Sequence, residues 1–277
     1  MPKDSFRPRS RFSCRIAVRF FPIAALALSS CLLAPAQAPA AGISSALPDA
    51  PAPQTSAPDD VTVRNLPRNL LHDQGTIWSG PAHIRTRDLQ WLLPLAAAAG
   101  VAFSTDQHTM TQVVSHDPSF NQASINTSNV LIGGLIAVPV AVYGFGHAHQ
   151  DEHARQAGIL TGESMVDGIV VDEALKLVFL RERPNVDNAR GHFFQTSAGA
   201  NSSFPSEHSI VAWSAASALA AEYPAPWTQF ALYSAATGVS LTRVMGQQHF
   251  PSDVLVGASL GWLIGHNVVR HHHKHRE

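Results

Sequence analysis

The chain has 277 residues, enough for one domain with extensions and a sizeable buried core, and its formal net charge is −1 at pH 7. That balance leaves no broad basic surface and argues against nucleic acid as a partner. Only 14% of the residues are charged and 45% are apolar, which points to extensive buried surface or to a membrane.

Both cysteines, Cys14 and Cys31, lie near the start. The rest of the chain has no thiol, so it needs no disulfide and offers no cysteine nucleophile. Residues 1–38 are expected to be a signal peptide or an N-terminal anchor. Lys3, Arg7, Arg9, Arg11, Arg15 and Arg19 make a basic start, an apolar run follows over 20–33, and Ala36-Gln37-Ala38 suits signal cleavage. A lipid attached at Cys31 is the competing reading, and the apolar residues that continue past it argue against that. Residues 39–60 are rich in Ala and Pro and form a linker, because such a composition cannot build a core. Residues 61–88 mix Val63, Leu66, Leu70, Leu71, Ile77 and Trp78 with scattered charges and are expected to pack on the surface of the domain.

From residue 89 onward the chain becomes a series of apolar helical segments, expected over 89–103, 130–145, 163–183, 206–223, 227–242 and 252–269. Ala and Leu dominate, no strand-like alternation competes, and Pro184, Pro205, Pro224, Pro226 and Pro251 fall near segment ends. The expected fold is all-α, a helical bundle of about six core helices with the active site at helix ends, spanning residues 61–270 ahead of a basic, His-rich tail at 271–277.

Three stretches carry chemistry. Lys176 and Arg183 are seven residues apart, so a helix puts them on one face, and Pro184 ends that helix. Such a pair is most simply a solvated basic face, but Leu175, Leu177, Val178, Phe179 and Leu180 crowd Lys176, so it must snorkel or find a partner. Next come Pro205, Ser206, Glu207 and His208, where a proline-started helix offers free N–H groups to an anion. The plainer alternative there is a Ser-rich cap with an incidental histidine. The last stretch runs from Thr242 and Arg243 to His249 and Asp253. Pro251 suits the first position of a helix, Asp253 then lies in its first turn, and its carboxylate is expected to accept the N–H of one imidazole nitrogen of His249. The other nitrogen keeps its lone pair and becomes a nucleophile. Alone, His249 reads equally well as a helix cap.

In register, the three stretches read Lys-x6-Arg-Pro, Pro-Ser-x-His and Thr-Arg-x5-His-x3-Asp. This resembles the three-part signature of the type 2 phosphatidic acid phosphatase superfamily, which also contains vanadium haloperoxidases and bacterial class A acid phosphatases. The resemblance covers residues 163–269. It departs at Glu207, where the family pattern has Gly, and at Thr242, where it has Ser. The threonine keeps the hydroxyl, whereas a carboxylate at 207 repels a phosphate dianion unless it turns away.

The resemblance implies the following roles. Lys176, Arg183 and Arg243 hold the phosphoryl oxygens, and Ser206 and the backbone at Glu207 add hydrogen bonds. His249 attacks phosphorus, Asp253 orients it, and His208 protonates the leaving group. No metal and no cofactor is called for, and vanadate enters only in the haloperoxidase alternative. The expected function is hydrolysis of phosphate monoesters or pyrophosphates, on a phosphorylated lipid or a small-molecule phosphate, with a catalytically weak phosphate-binding protein as a third reading. His147, His149 and His153, and His271 to His273 with His275, invite metal binding, but neighbouring charges make the first group a solvated loop and the second a basic tail.

Location is the open point. Most apolar segments run about 15 to 18 residues, at or below span length. An export signal places the domain outside, periplasmic or attached to the envelope, with membrane association as a further expectation. The alternative is an integral inner-membrane protein with the site facing outward. In that arrangement the Lys and Arg residues before 89 and after 269 belong on the cytoplasmic side.

Overall fold

The computed structural model describes residues 61–274, and the expected signal or anchor and the linker of residues 1–60 lie outside that range. Among the described residues there are seven α-helices, no strands and a few single turns of 3-10 or π helix. They are α1 (Leu66–Ser79), α2 (Leu89–His108), α3 (Pro118–His149), α4 (Glu152–Phe179), α5 (Glu207–Glu222), α6 (Pro226–Met245) and α7 (Pro251–Lys274). The all-α bundle is as expected. The added helix is α1, formed within the segment expected at the surface.

Several helices outrun their expected bounds because polar residues ride on them. α3 begins at residue 118 rather than 130: Pro118 opens its first turn and the Asp117 carboxylate accepts the Phe120 N–H at 2.9 Å. The two long helices α3 and α4 form a hairpin. Gln150 ends α3 in a left-handed conformation, and Asp151 at once caps α4 by accepting the Ala154 N–H at 3.1 Å. The supposed tail also differs. Residues 271–274 continue α7, and His272 is buried.

The core lies where α4, α5 and α7 meet, around Leu160, Val171, Ile210, Ile264 and Val268. A second cluster joins α3, α5 and α6 through Leu135, Ala212, Ala216, Ala236 and Val239. Gly257, Gly261 and Gly265 repeat every four residues along α7 and so share one face. A Cβ at Gly261 would lie 2.3 Å from the Ile210 carbonyl oxygen, and one at Gly265 would lie 2.3 Å from that of Ser214. The missing side chains let the backbones of α5 and α7 approach closely. Because α5 and α7 both start at the same end of the bundle, the packing brings Ser206 beside Asp253, and the Ser206 N–H donates to the Asp253 carbonyl at 3.2 Å.

α3 is long and apolar enough to cross a membrane. Only 17% of its most apolar 18-residue stretch is buried, so its apolar surface faces outward rather than into the core. Val130, Ile136, Val140 and Phe145 of α3, together with Trp91, Leu93 and Val101 of α2 and Trp227 and Phe230 of α6, are exposed.

Candidate active site

His249 precedes α7 and is 2% exposed. Its Nδ1 lies 2.7 Å from the Ser203 carbonyl oxygen and 3.8 Å from Asp253 Oδ2. This corrects the expected partner: the backbone carbonyl, not Asp253, takes the imidazole N–H. A carbonyl can only accept, so Nδ1 carries the proton and Nε2 keeps its lone pair. The tautomer needed for a nucleophile therefore arises by a different contact. Burial holds the His249 pKa below its ordinary value, with Arg183 and Arg243 adding to this and Asp253 opposing it, so the ring stays neutral.

Asp253 has another set of partners. Its Oδ2 accepts from Ser203 Oγ at 2.5 Å and from the Phe250 N–H at 2.8 Å, and its Oδ1 accepts from Arg181 Nη1 at 2.5 Å. It fixes the loop that carries both Ser203 and His249, and so orients the histidine indirectly.

Arg181 was not foreseen. It is 2% exposed and stacks over Phe250 at 4.0 Å and Phe193 at 4.8 Å. It also donates to Ser252 Oγ at 2.7 Å and to Asp106 Oδ2 at 2.7 Å. Asp106 in turn accepts from the Ser252 N–H at 3.1 Å and from the Ser252 hydroxyl. A buried Asp106–Arg181–Asp253 chain thus ties α2, the loop after α4 and the start of α7 together. The signal was present as a second arginine two residues before Arg183 and as a lone carboxylate just beyond the expected end of the first apolar segment.

Arg183 is held by its neighbours. Its Nε donates to the Asn201 carbonyl at 3.1 Å and to Asn201 Oδ1 at 3.0 Å, and its Nη1 donates to the Gln248 carbonyl at 3.0 Å. Arg243 is 7% exposed and its Nε has no hydrogen-bond partner among the described residues. Burial and the nearby positive charge of Arg183 lower the Arg243 pKa to about 10. Two guanidinium groups close enough to repel, one with a donor to spare, form a site poised for an anion. His208 shares that field. Burial, then Arg243 and His249, bring its pKa down to about 4.

Ser206 is fully buried, and its hydroxyl accepts from Ser209 Oγ at 3.2 Å. The Thr242 hydroxyl turns away from the site and donates to the Gly238 carbonyl of its own helix at 2.7 Å.

Lys176 finds partners rather than snorkelling. Its ammonium lies 2.7 Å from Asp172 Oδ2, 3.0 Å from Glu173 Oε1 and 2.8 Å from Glu207 Oε2. Glu207, expected to repel an anion, is instead turned onto the lysine. Burial alone would raise the Glu207 pKa, but Lys176, with His208 and His249 beyond it, holds the pKa below the ordinary carboxylate value. The lysine corner already holds three carboxylates, while the arginine corner is open.

These groups meet at one end of a helical bundle: two arginines, two histidines and two helix N-termini. The three motifs of the sequence converge here. A family model described as PAP2 superfamily matches residues 158–277. A lipid A 1-phosphatase from Porphyromonas gingivalis is 27% identical over 181 residues, covering 64% of this chain and 37% of that one. The chain thus spans about 37% of the length of that relative. The crystal structure of a transmembrane PAP2 type phosphatidylglycerolphosphate phosphatase from Bacillus subtilis superposes with a TM-score of 0.48 at 18% identity, over 76% of this chain and 96% of that chain.

Proposed function

We propose that the protein is a phosphatase that releases phosphate from a membrane lipid through a phosphohistidine at His249. The observation that carries this is the His249 geometry: Nδ1 bonded to the Ser203 carbonyl, and Nε2 left free beside two arginines. In this reading Arg183 and Arg243 bind the phosphoryl oxygens, and the spare Nε–H of Arg243 and the first N–H groups of α5 complete the cradle. His249 Nε2 attacks phosphorus, and the bond to the leaving oxygen breaks as His208 gives that oxygen a proton. The bound dianion raises the His208 pKa from its low resting value, so this acid is charged only when substrate is present. Neutral His208 then takes a proton from the water that releases phosphate.

The lipid is favoured over a soluble ester by the outward-facing apolar surface of α3 and by a groove of about 280 Å³ lined by Trp91, Leu95, Trp213, Leu255 and Trp262. Its α7 wall runs from Leu255 to Leu263, and its walls suit an acyl chain. The relative that acts on the 1-phosphate of lipid A, by its name, is consistent with a phosphorylated lipid as substrate. The test is phosphate release from lipid phosphates in mixed micelles, alongside a chromogenic ester. Acid-labile phosphate trapped on wild-type protein and absent from His249→Gln supports the reading. Activity surviving in His249→Gln overturns it. Bromination in the presence of vanadate and peroxide, without phosphate release, assigns the haloperoxidase chemistry instead.

A further inference from the structure

At the end of the bundle away from this site, α1, α4 and α7 close around a second group of ionisable side chains. Asp73 of α1 is 1% exposed, Glu163 and Asp167 of α4 are both 0% exposed, and His272 of α7 is 8% exposed. His272 Nε2 lies 3.6 Å from Glu163 Oε1 and 3.9 Å from Asp73 Oδ2. One ligand atom from each of Asp73, Glu163 and His272 falls within 4.8 Å of the others. Gln74 donates to Asp167 Oδ1 at 2.8 Å, which leaves Asp167 Oδ2 over.

Three buried carboxylates in one pocket repel one another, and each loses its hydration. Buried polar atoms are ordinarily hydrogen-bonded. Here both oxygens of Asp73, both of Glu163 and Oδ2 of Asp167 have no hydrogen-bond partner among the described residues. Among the described residues no lysine or arginine forms an ion pair with any of the three. The contrast with Asp172, whose charge is met by Lys176 at 2.7 Å, shows how the same helix treats a buried acid that has a cation.

The distances suit a metal ion. Ligand oxygens and nitrogens lie about 2.0–2.2 Å from a small divalent ion, so atoms sharing one stand roughly 3–4.4 Å apart. The 3.6 and 3.9 Å separations fall inside that range. We propose that Asp73, Glu163 and His272, with Asp167 beside them, bind one divalent transition-metal ion that pins α1 and the end of α7 to α4. The imidazole favours zinc and the carboxylates also suit manganese, whereas calcium and magnesium prefer all-oxygen shells. Glu163 lies thirteen residues before Lys176 on α4, about 20 Å along its axis, so the ion is structural and takes no part in phosphate chemistry. His72 and His271, whose Nε2 atoms are 2.8 Å apart, sit at the solvent edge of the same α1/α7 contact and give the ion a route in.

The test uses the full chain, purified in detergent, stripped with chelator and titrated with Mn2+ and with Zn2+ by calorimetry, with metal content and unfolding temperature read in parallel. One ion per chain and an unfolding temperature raised by several degrees are expected. Glu163→Gln removes a charge without changing size, so its metal-free form should be at least as stable as wild type while its affinity falls tenfold or more. A triple variant His271→Ala, His273→Ala, His275→Ala should keep the tight ion, and His272→Ala should lose it. Two results overturn the proposal. One is no saturable binding by wild type at 100-fold excess, which assigns the cluster to protonated acids sharing hydrogen bonds. The other is binding that survives Glu163→Gln and disappears in the triple variant, which assigns it to His271, His273 and His275.

Discussion

Arg181 has no role in the proposed chemistry itself, yet it holds the first turn of α7, which carries Asp253 and Ser252. Removing one partner of a buried ion pair strands the other, at a cost of roughly 3–5 kcal/mol. Arg181→Met therefore leaves Asp106 and Asp253 unpaired, and urea unfolding should show a loss of that size. Arg181→Lys should recover little, because a single ammonium cannot reach both carboxylates and stack on Phe250 at once. Glu207 is the opposite case. Removing its carboxylate frees Lys176 and takes a like charge from the anion site, so Glu207→Gly should raise kcat/KM on simple phosphate esters roughly 5- to 50-fold. Lower activity at equal stability would give Glu207 a positive role. His208 yields a pH signature. Its folded pKa of about 4 lies below its ordinary 6.5, so between those values the unfolded chain holds the extra proton and stability falls as pH drops. With its partial exposure discounted, the loss is roughly 1–2 kcal/mol across that window. The difference between wild type and His208→Gln, measured from pH 7 to 4, isolates it. Inorganic phosphate should reduce that difference by raising the folded pKa.

At the scale of elements, the glycine face of α7 sets the distance between the two helix starts that form the site. Gly261→Ala pushes a methyl into the Ile210 carbonyl, and overpacking of this kind costs typically 1–3 kcal/mol. Activity should fall further than stability explains, because α7 carries Asp253 with it. Gly162→Ala on α4 is the control: its Cβ meets open space, so it should be neutral or stabilise by about 0.5–1 kcal/mol. The same contrast explains what could be read from sequence. His249, His208 and Arg243 were legible because their spacings put chemical groups at helix starts and ends. The expected helical face shared by Lys176 and Arg183 is not formed, since α4 ends at Phe179, and Pro205 lies ahead of the α5 cap Ser206 rather than in its first turn. The acceptor for His249 was not legible, because a backbone carbonyl 46 residues away carries no residue type to recognise. Asp106 with Arg181, and Asp73 with Glu163 and His272, were hidden for a related reason. Each joins residues far apart in the chain, and each half alone looks like a helix end or a charged surface. Helix lengths fell short where polar residues such as Ser124 and Ser128 lie buried on α3, since an apolar-run criterion stops at them.

For the whole molecule, the question is whether α3 crosses a membrane and, where it does, which side each end of the bundle faces. α3 has the length and apolar character of a span, and its outward apolar surface has no partner among the described helices. Its first turn lies at the phosphate end, where Gln247 donates to the Ser115 carbonyl at 2.9 Å. Its last turn lies at the far end, near Arg155. Arg64, Arg68, Arg85, Arg87 and Arg270 belong to that far end too, and basic residues flanking a span favour the cytoplasmic side. The phosphate site should then face outward. The chain lends itself to a direct test, because Cys14 and Cys31 are its only thiols. In a Cys14→Ser, Cys31→Ser background, Ser119→Cys and Gln150→Cys place one exposed thiol at each end of α3. A membrane-impermeant maleimide applied to intact cells should label Ser119→Cys and spare Gln150→Cys. Once the membrane is opened, both should react. Equal labelling of both positions before opening would show that α3 does not cross. Labelling of Gln150→Cys alone would invert the molecule, place the phosphate site inside and redirect the search for substrate to the cytoplasmic leaflet.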